Sequence, residues 1–164
     1  MKTLFYNAKI VGENGILDGD KLLVEDGVIR AFNDESADEK IDCKGGYLFA
    51  GFVDIHVHGG GGADFMDGTV EAMQTAVSTH LSHGTTTIYP TTMSAEIEKI
   101  DKVFKIFRQA KNSGAFNANV IGLHLEGPFI SPLMCGAQRK DLIVSPTEKE
   151  IKWLQENADI ISRI

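Results

Sequence analysis

Gly51-Phe52-Val53-Asp54-Ile55-His56-Val57-His58-Gly59-Gly60-Gly61-Gly62 is β-prone as far as Val57 and then closes on paired histidines and four glycines. Side chains two apart on a strand share a face, so His56 and His58 project side by side. The glycines let the backbone turn sharply at the strand end, which leaves both imidazoles at an open mouth. Two neutral imidazoles converging on one point begin a transition-metal site, since imidazole suits zinc, iron and nickel. The competing reading is a pair of strand histidines bonded to their neighbours. An apolar run ending in paired histidines plus glycine is uncommon without a ligand.

Downstream of this strand the pattern alternates. Val70, Met73, Val77 and Leu81 form one stripe and predict a helix over about Thr69–His83, with Gly84 as its stop. Thr85–Thr91 is rich in β-branched residues and reads as a second strand, with Pro90 at its far end, where a missing donor costs least. Ile97, Ile100, Phe104 and Phe107 predict a helix over about Ser94–Lys111, with Glu96 and Glu98 in the dipole-favoured first turn. Asn119–Glu126 is a third strand. Ser145-Pro146-Thr147-Glu148 predicts a capping box with proline at the first helical position, launching a helix to about Asn157. Asp159–Ile164 opens a fourth strand. Strands and helices alternating at this spacing predict an α/β fold, a parallel sheet with helical crossovers.

Upstream the texture differs. Residues 1–48 hold short β-prone runs at Leu4–Val11, Lys21–Val24, Val28–Phe32 and, at the boundary, Tyr47–Phe49. Turn signals separate them at Glu13-Asn14-Gly15, Glu25-Asp26-Gly27 and Asn33-Asp34. Asp26-Gly27 is a hairpin signal, and acidic Asp34–Lys40 reads as an exposed loop. The expectation is a partial β-sandwich module over 1–48, followed by barrel-type β/α units over 49–164.

Composition narrows the function. The net charge is −7 and no Lys/Arg cluster exceeds scattered pairs such as Arg139-Lys140, which argues against a nucleic-acid partner. No apolar run approaches the ~20 residues of a membrane span, and the first residues lack signal-peptide character. Cys43 and Cys135 match no zinc-knuckle or redox spacing, so free thiols in a reducing cytoplasm are expected.

The third strand supplies the other half of the site. Ile121, Leu123 and Leu125 alternate with Gly122, His124 and Glu126, and the first set suits a helix-covered face. In a (β/α)8 barrel the second set points inward, and Glu126 lies at the carboxyl end, where such enzymes hold their chemistry. A carboxylate level with His56 and His58 completes a plausible ligand set. His124, one layer deeper, reads as a packed or supporting histidine. His80 and His83, at a helix end, read as structural. Gly59–Gly62 lacks the lysine and helix of a phosphate loop and reads as a plain turn.

These residues resemble the amidohydrolase superfamily and, within it, the N-acetylglucosamine-6-phosphate deacetylases. The broader likeness rests on Ala50-Gly51-Phe52-Val53-Asp54-Ile55-His56-Val57-His58. The narrower one rests on Gly122-Leu123-His124-Leu125-Glu126-Gly127-Pro128-Phe129 and Gly136-Ala137-Gln138, supported by Gly84-Thr85-Thr86-Thr87 and Pro90-Thr91. The resemblance implies a TIM-type (β/α)8 barrel with a β-sandwich assembled from both chain ends. It implies one or two divalent metal ions, zinc foremost and iron or another as alternatives. It implies hydrolysis of the acetamide of an amino-sugar phosphate by a homodimer. Glu126 matches the carboxylate metal ligand; His56 and His58 match the pair that completes a second metal site in some members. Ala137 and Gln138 match a substrate-associated position where many members carry histidine, and glutamine can donate to a carbonyl but carries no charge.

The general-base aspartate and two further histidine ligands of the family belong to later strands, so no catalytic base is expected before Ile164. A full barrel takes ~250 residues, so this sequence is expected to be an N-terminal piece, or a truncated form, inactive alone. Two rivals remain: another amidohydrolase, a cyclic amidase or deaminase, and a non-catalytic metal-binding fragment.

Overall fold

The computed structural model describes residues 1–32 and 36–164, and its contacts divide the chain into Met1–Ala50 and Gly51–Ile164. The first unit begins with β1 (Lys2–Tyr6) and β2 (Lys9–Gly12). The sequence predicts one run from Leu4 to Val11; Asn7, at φ 55°, breaks it in two. A short polar side chain makes asparagine tolerant of that left-handed backbone. β2 turns back into β3 (Gly15–Ile16). β4 (Leu22–Glu25) and β5 (Val28–Phe32) form the hairpin expected at Asp26-Gly27, whose φ values of 50° and 78° are the two positive angles a type I′ turn needs.

The expected loop over Asp34–Lys40 needs correction at its end, because β6 (Glu39–Asp42) lies parallel to β1. All four β6 residues are exposed, so no apolar alternation marked it as a strand. The turn signal at Asn33-Asp34 and the beginning of that loop lie outside the described residues. β7 (Tyr47–Leu48) pairs with β2. The sheets run β5-β4-β1-β6 and β3-β2-β7, and Ala8, Ile10 and Leu22 are the buried residues of a small core with Phe5, Val24 and Leu48 against them.

In the second unit, β8 (Phe52–Val57) begins where Gly51 lies so close to the neighbouring strand that a Cβ would sit 2.1 Å from Thr86 Oγ1. The four glycines form more than a plain turn. β9 (Gly59–Gly60) and β10 (Ala63–Asp64) pair antiparallel about Gly61 and Gly62, at φ 63° and 84°. Then come α1 (Val70–Ser82), β11 (Thr85–Pro90) and α2 (Ile97–Asn112). α2 starts later than predicted, at Ile97, and the Ser94 backbone N–H before it bonds the Gln138 side chain at 2.8 Å.

The third strand is interrupted rather than continuous. β12 (Asn119–Val120) pairs with β11, whereas β13 (Leu123–His124) pairs with β14 (Ile161–Arg163), all parallel. Gly122 marks the change of partner: a Cβ there would meet Ser162 Oγ at 2.1 Å and the Ile160 carbonyl at 2.8 Å. Leu123 and Leu125 are buried as predicted, but Ile121 is exposed. Before β14 lies α3 (Glu148–Glu156). Its cap is Thr147, closed by a reciprocal box with Glu150, so Pro146 precedes the cap instead of opening the helix. A bridge between Thr91 and His124 joins the two halves, and the parallel strands follow sequence order with helices between.

Phe65, Met73, Val77, Ile88, Ile100, Phe104, Phe107 and Leu123 are fully buried in one cluster. Trp153 stacks on Phe104 with ring centroids 5.3 Å apart, and its indole N–H donates to Asp101 at 2.7 Å. Each large side chain so buried contributes about 2 kcal/mol, well above the ~0.4 kcal/mol of an exposed i,i+4 pair such as Lys152–Glu156. Apolar packing therefore holds the strand ends in place. Among the described residues no helix is long and apolar enough to cross a membrane.

Candidate metal centre

β8 delivers the two histidines. His56 lies within the strand and His58 one residue past it, with ring centroids 4.9 Å apart and planes nearly perpendicular. Glu126 lies two residues beyond β13 and is held level by its neighbour, since the Leu125 N–H bonds the Arg163 carbonyl at 2.9 Å. After it the chain must turn away at once. Gly127 has φ 77°, and a Cβ there would come within 2.0 Å of Ser94 Oγ. Only glycine fits both demands.

Three side chains from two strand ends thus converge. Glu126 Oε2 stands 3.1 Å from His58 Nε2 and 3.9 Å from His56 Nε2. One ligand atom from each of the three lies within 4.8 Å of the others. Two ligands about 2.1 Å from one ion at a tetrahedral angle are ~3.4 Å apart, so these spacings bracket a shared cation. Glu126 Oε2 is buried and accepts no hydrogen bond; the approach of His58 to it is a close contact without hydrogen-bond geometry. A buried carboxylate oxygen left without a donor is costly, and a cation relieves that cost. The half-open imidazoles, 44% and 32% exposed, leave a way in.

The far sides of the rings are also engaged. His58 Nδ1 lies 3.3 Å from the Thr91 carbonyl, which accepts only; a hydrogen bond here has Nδ1 as donor, the tautomer in which Nε2 is free to ligate. His56 Nδ1 faces His124 Nδ1 at 3.2 Å. His124 is buried, and burial first, then the Arg163 charge, hold its imidazole below the usual histidine range. Arg163 itself reaches across to donate to the Ile55 carbonyl at 3.2 Å.

Thr91 was not singled out as part of the site. It is fully buried, its carbonyl meets His58, and its hydroxyl receives the Val57 N–H at 3.0 Å. The signal was available: it sits at the end of the second strand, at the level of the histidines on the first. His80 and His83 bond the carbonyls of Gly59 and Thr79, at 2.9 and 2.8 Å.

Ala137 and Gln138 stand apart from this cluster. They line a cavity of about 520 Å³ with Asp64, Ser94, Glu96 and Arg139, and none of the three convergent side chains lines it. Gln138 is buried, with its side-chain oxygen committed to the Ser94 N–H. Its amide NH2 remains as the donor.

Parallel strands in sequence order, with two histidines leaving the first and a carboxylate leaving the third, define an α/β unit that carries a candidate metal centre. The amidohydrolase family profile matches residues 47–163, and the chain belongs to that family. It is 33% identical over 168 residues to the N-acetylglucosamine-6-phosphate deacetylase of Bacillus subtilis (strain 168), covering 96% of this chain and 42% of the relative. To the human enzyme of that name it is 38% identical over 125 residues, covering 74% and 29%. Its structure is similar to that of the Pasteurella multocida N-acetylglucosamine-6-phosphate deacetylase, with a TM-score of 0.87, 30% identity, and coverage of 99% of this chain and 44% of the other. A mutant deacetylase from Mycobacterium smegmatis, in complex with N-acetyl-D-glucosamine-6-phosphate, matches with a TM-score of 0.75, 26% identity and coverage of 98% and 42%. The chain spans less than half the length of these relatives.

Proposed function

We propose that His56, His58 and Glu126 hold a divalent metal ion, zinc foremost, and that the whole protein hydrolyses the acetamide of N-acetylglucosamine 6-phosphate to glucosamine 6-phosphate and acetate. The observation that carries this reading is the convergence of His56 Nε2, His58 Nε2 and Glu126 Oε2, a buried oxygen that accepts no hydrogen bond. The likeness to deacetylases supplies the substrate. A cation bound there polarises the amide carbonyl and lowers the pKa of water. Glu126 supplies the negative charge that makes the site attractive to a dication. Thr91 fixes the proton on His58 Nδ1 and so aims Nε2 inward.

In this reading residues 49–164 form the first β/α units of a (β/α)8 barrel, and residues 1–48 form part of its β-sandwich. The exposed Val53 and Ile55 of β8 fit a strand that further barrel elements cover. Ala137 and Gln138 take the substrate side, where the Gln138 NH2 donates to a sugar or acetyl oxygen. The aspartate that takes the water proton belongs to a later strand. A cytoplasmic homodimer completes the proposal.

The test has two parts. Zinc affinity is measured by chelator competition for the unchanged chain and for His58→Ala and Glu126→Ala. Each variant is expected to lose roughly 100-fold or more, beyond the ~10–100-fold typical of supporting groups. Turnover by the whole protein is then compared among N-acetylglucosamine 6-phosphate, followed by acetate release, cyclic amides, followed by ring opening, and aminopurines, followed by ammonia release. Unchanged zinc affinity in both variants overturns the metal centre; faster turnover of a cyclic amide or purine overturns the deacetylase.

A further inference from the structure

We propose that His124 sets the tautomer of His56: it presents an unprotonated Nδ1 to the Nδ1–H of His56, so that His56 keeps its Nε2 lone pair for the cation. The inference rests on the metal-centre reading and assigns a positioning role to a histidine that reading leaves unused.

The geometry poses a choice. The two Nδ1 atoms are 3.2 Å apart, with the rings inclined at 60°. Two such nitrogens attract only when one proton lies between them. If His56 owns it, the neutral His56 ring has a free Nε2, facing Glu126 Oε2 at 3.9 Å. If His124 owns it, His56 carries its proton on Nε2 and cannot ligate. Which ring donates therefore decides whether His56 is a ligand at all.

The surroundings of the pair are uneven. On the inner side His124 is 6% exposed and Thr91 0%, while the His56 side chain is 44% exposed. Thr91 Oγ1 lies 3.3 Å from His124 Nδ1, receives the Val57 N–H, and donates to the Tyr89 carbonyl at 3.1 Å. Both arrangements hold one proton per ring, so passage between them needs no net gain or loss. A cation on His56 Nε2 selects the first arrangement. By linkage, an acceptor at His124 Nδ1 then raises affinity for the cation. Thr91 serves His58 through its carbonyl; its single hydroxyl proton goes to the Tyr89 carbonyl, so its oxygen only packs beside His124 Nδ1.

The experiment uses the chain with ¹⁵N-labelled histidine, titrated with zinc. Long-range ¹⁵N–¹H correlation reports which nitrogen of each ring is protonated, and chelator competition gives the affinity. In the zinc-loaded chain His56 is expected to be protonated at Nδ1 and His124 at Nε2 alone. His124→Phe fills the space without an acceptor and is expected to lose about 10–100-fold in zinc affinity. His124→Asn offers an acceptor oxygen near the same place and is expected to recover most of that loss. A proton on His124 Nδ1 in the zinc-loaded chain overturns the proposal, as does equal affinity of the Phe variant and the unchanged chain. Should the Phe variant fail to fold, the tautomers of the unchanged chain decide alone. No zinc uptake by the unchanged chain overturns the metal centre itself, and this inference with it. Normal uptake with an indifferent Phe variant overturns this inference only.

Discussion

The cluster at the ends of β8 and β13 and the cavity lined by Gln138 lie in the same unit and are built by different means. In the cluster, His56 lies on a strand and His58 and Glu126 just beyond strand ends, and fully buried residues such as Ile88 and Leu123 hold those strands. In the cavity, Ser94, Glu96, Ala137 and Arg139 lie outside the regular strands and helices. Loop contacts hold them, among them the bond from the Ser94 N–H to Gln138 and the two from Arg139 to Asp141. A strand-built site tolerates loss of one side chain without moving the rest. A bond-built site does not.

Gly127 is where the two constructions touch, and it is the most damaging place to test them. It turns the chain directly after Glu126 while its α-carbon lies against Ser94. Gly127→Ala places a Cβ at φ 77°, 2.0 Å from Ser94 Oγ. Strain and clash together are expected to cost on the order of 3 kcal/mol. Zinc affinity is expected to fall along with the unfolding midpoint, because both Glu126 and the Ser94–Gln138 bond move. Urea unfolding and chelator competition on one preparation measure both. A variant that loses stability and keeps its zinc affinity would show that the Glu126 end of β13 is independent of the loops.

The same contrast explains how much could be read in advance. His56, His58 and Glu126 were legible because a period of two and a strand end are properties of local sequence. The helix at Val70–Ser82 was legible from its stripe, and the Asp26-Gly27 hairpin from the turn it demands. The break in the third strand was not, because the reason lies in Ser162 and Ile160, about forty residues away. β6 was missed because all its side chains face water and only its backbone pairing makes it a strand. The bond from the Ser94 N–H to Gln138 is a contact no window of local sequence contains. Thr91 shows both sides: its place at the end of the second strand is legible, whereas the use of its carbonyl leaves no mark in residue type.

Gln138→Ala separates the two constructions more gently. It removes the acceptor of a buried N–H, which costs about 1–3 kcal/mol when the donor is left without a partner. Stability is expected to fall by that amount in urea. Zinc affinity is expected to hold, because Gln138 contacts none of the three ligands. In the whole protein the Michaelis constant for the amino-sugar phosphate is expected to rise. Loss of zinc binding on this substitution would mean that the cavity and the cluster form one cooperative structure.

The smallest expected effect comes from the ion pair at the start of β14. Arg108 Nη2 bonds Asp159 Oδ1 at 2.6 Å and Nε bonds Oδ2 at 3.0 Å, so the pair is bidentate but largely exposed. The Arg108 hydrogen bonds hold the Asp159 carboxyl below its ordinary value. A depressed folded-state pKa contributes stability that is present above the unfolded value, near pH ~4, and is lost as pH falls through the folded value. With solvent screening the contribution is about 0.5–1 kcal/mol. Asp159→Asn is therefore expected to be less stable than the unchanged chain by that amount at about pH 7, with the gap narrowing toward about pH 3. Urea unfolding at both values checks this, and zinc affinity at about pH 7 is expected to be the same for both chains. A drop in zinc affinity would mean that β14 aims Glu126 through its far end, and the strand-built cluster would then lean on a surface contact as much as the cavity leans on its loops.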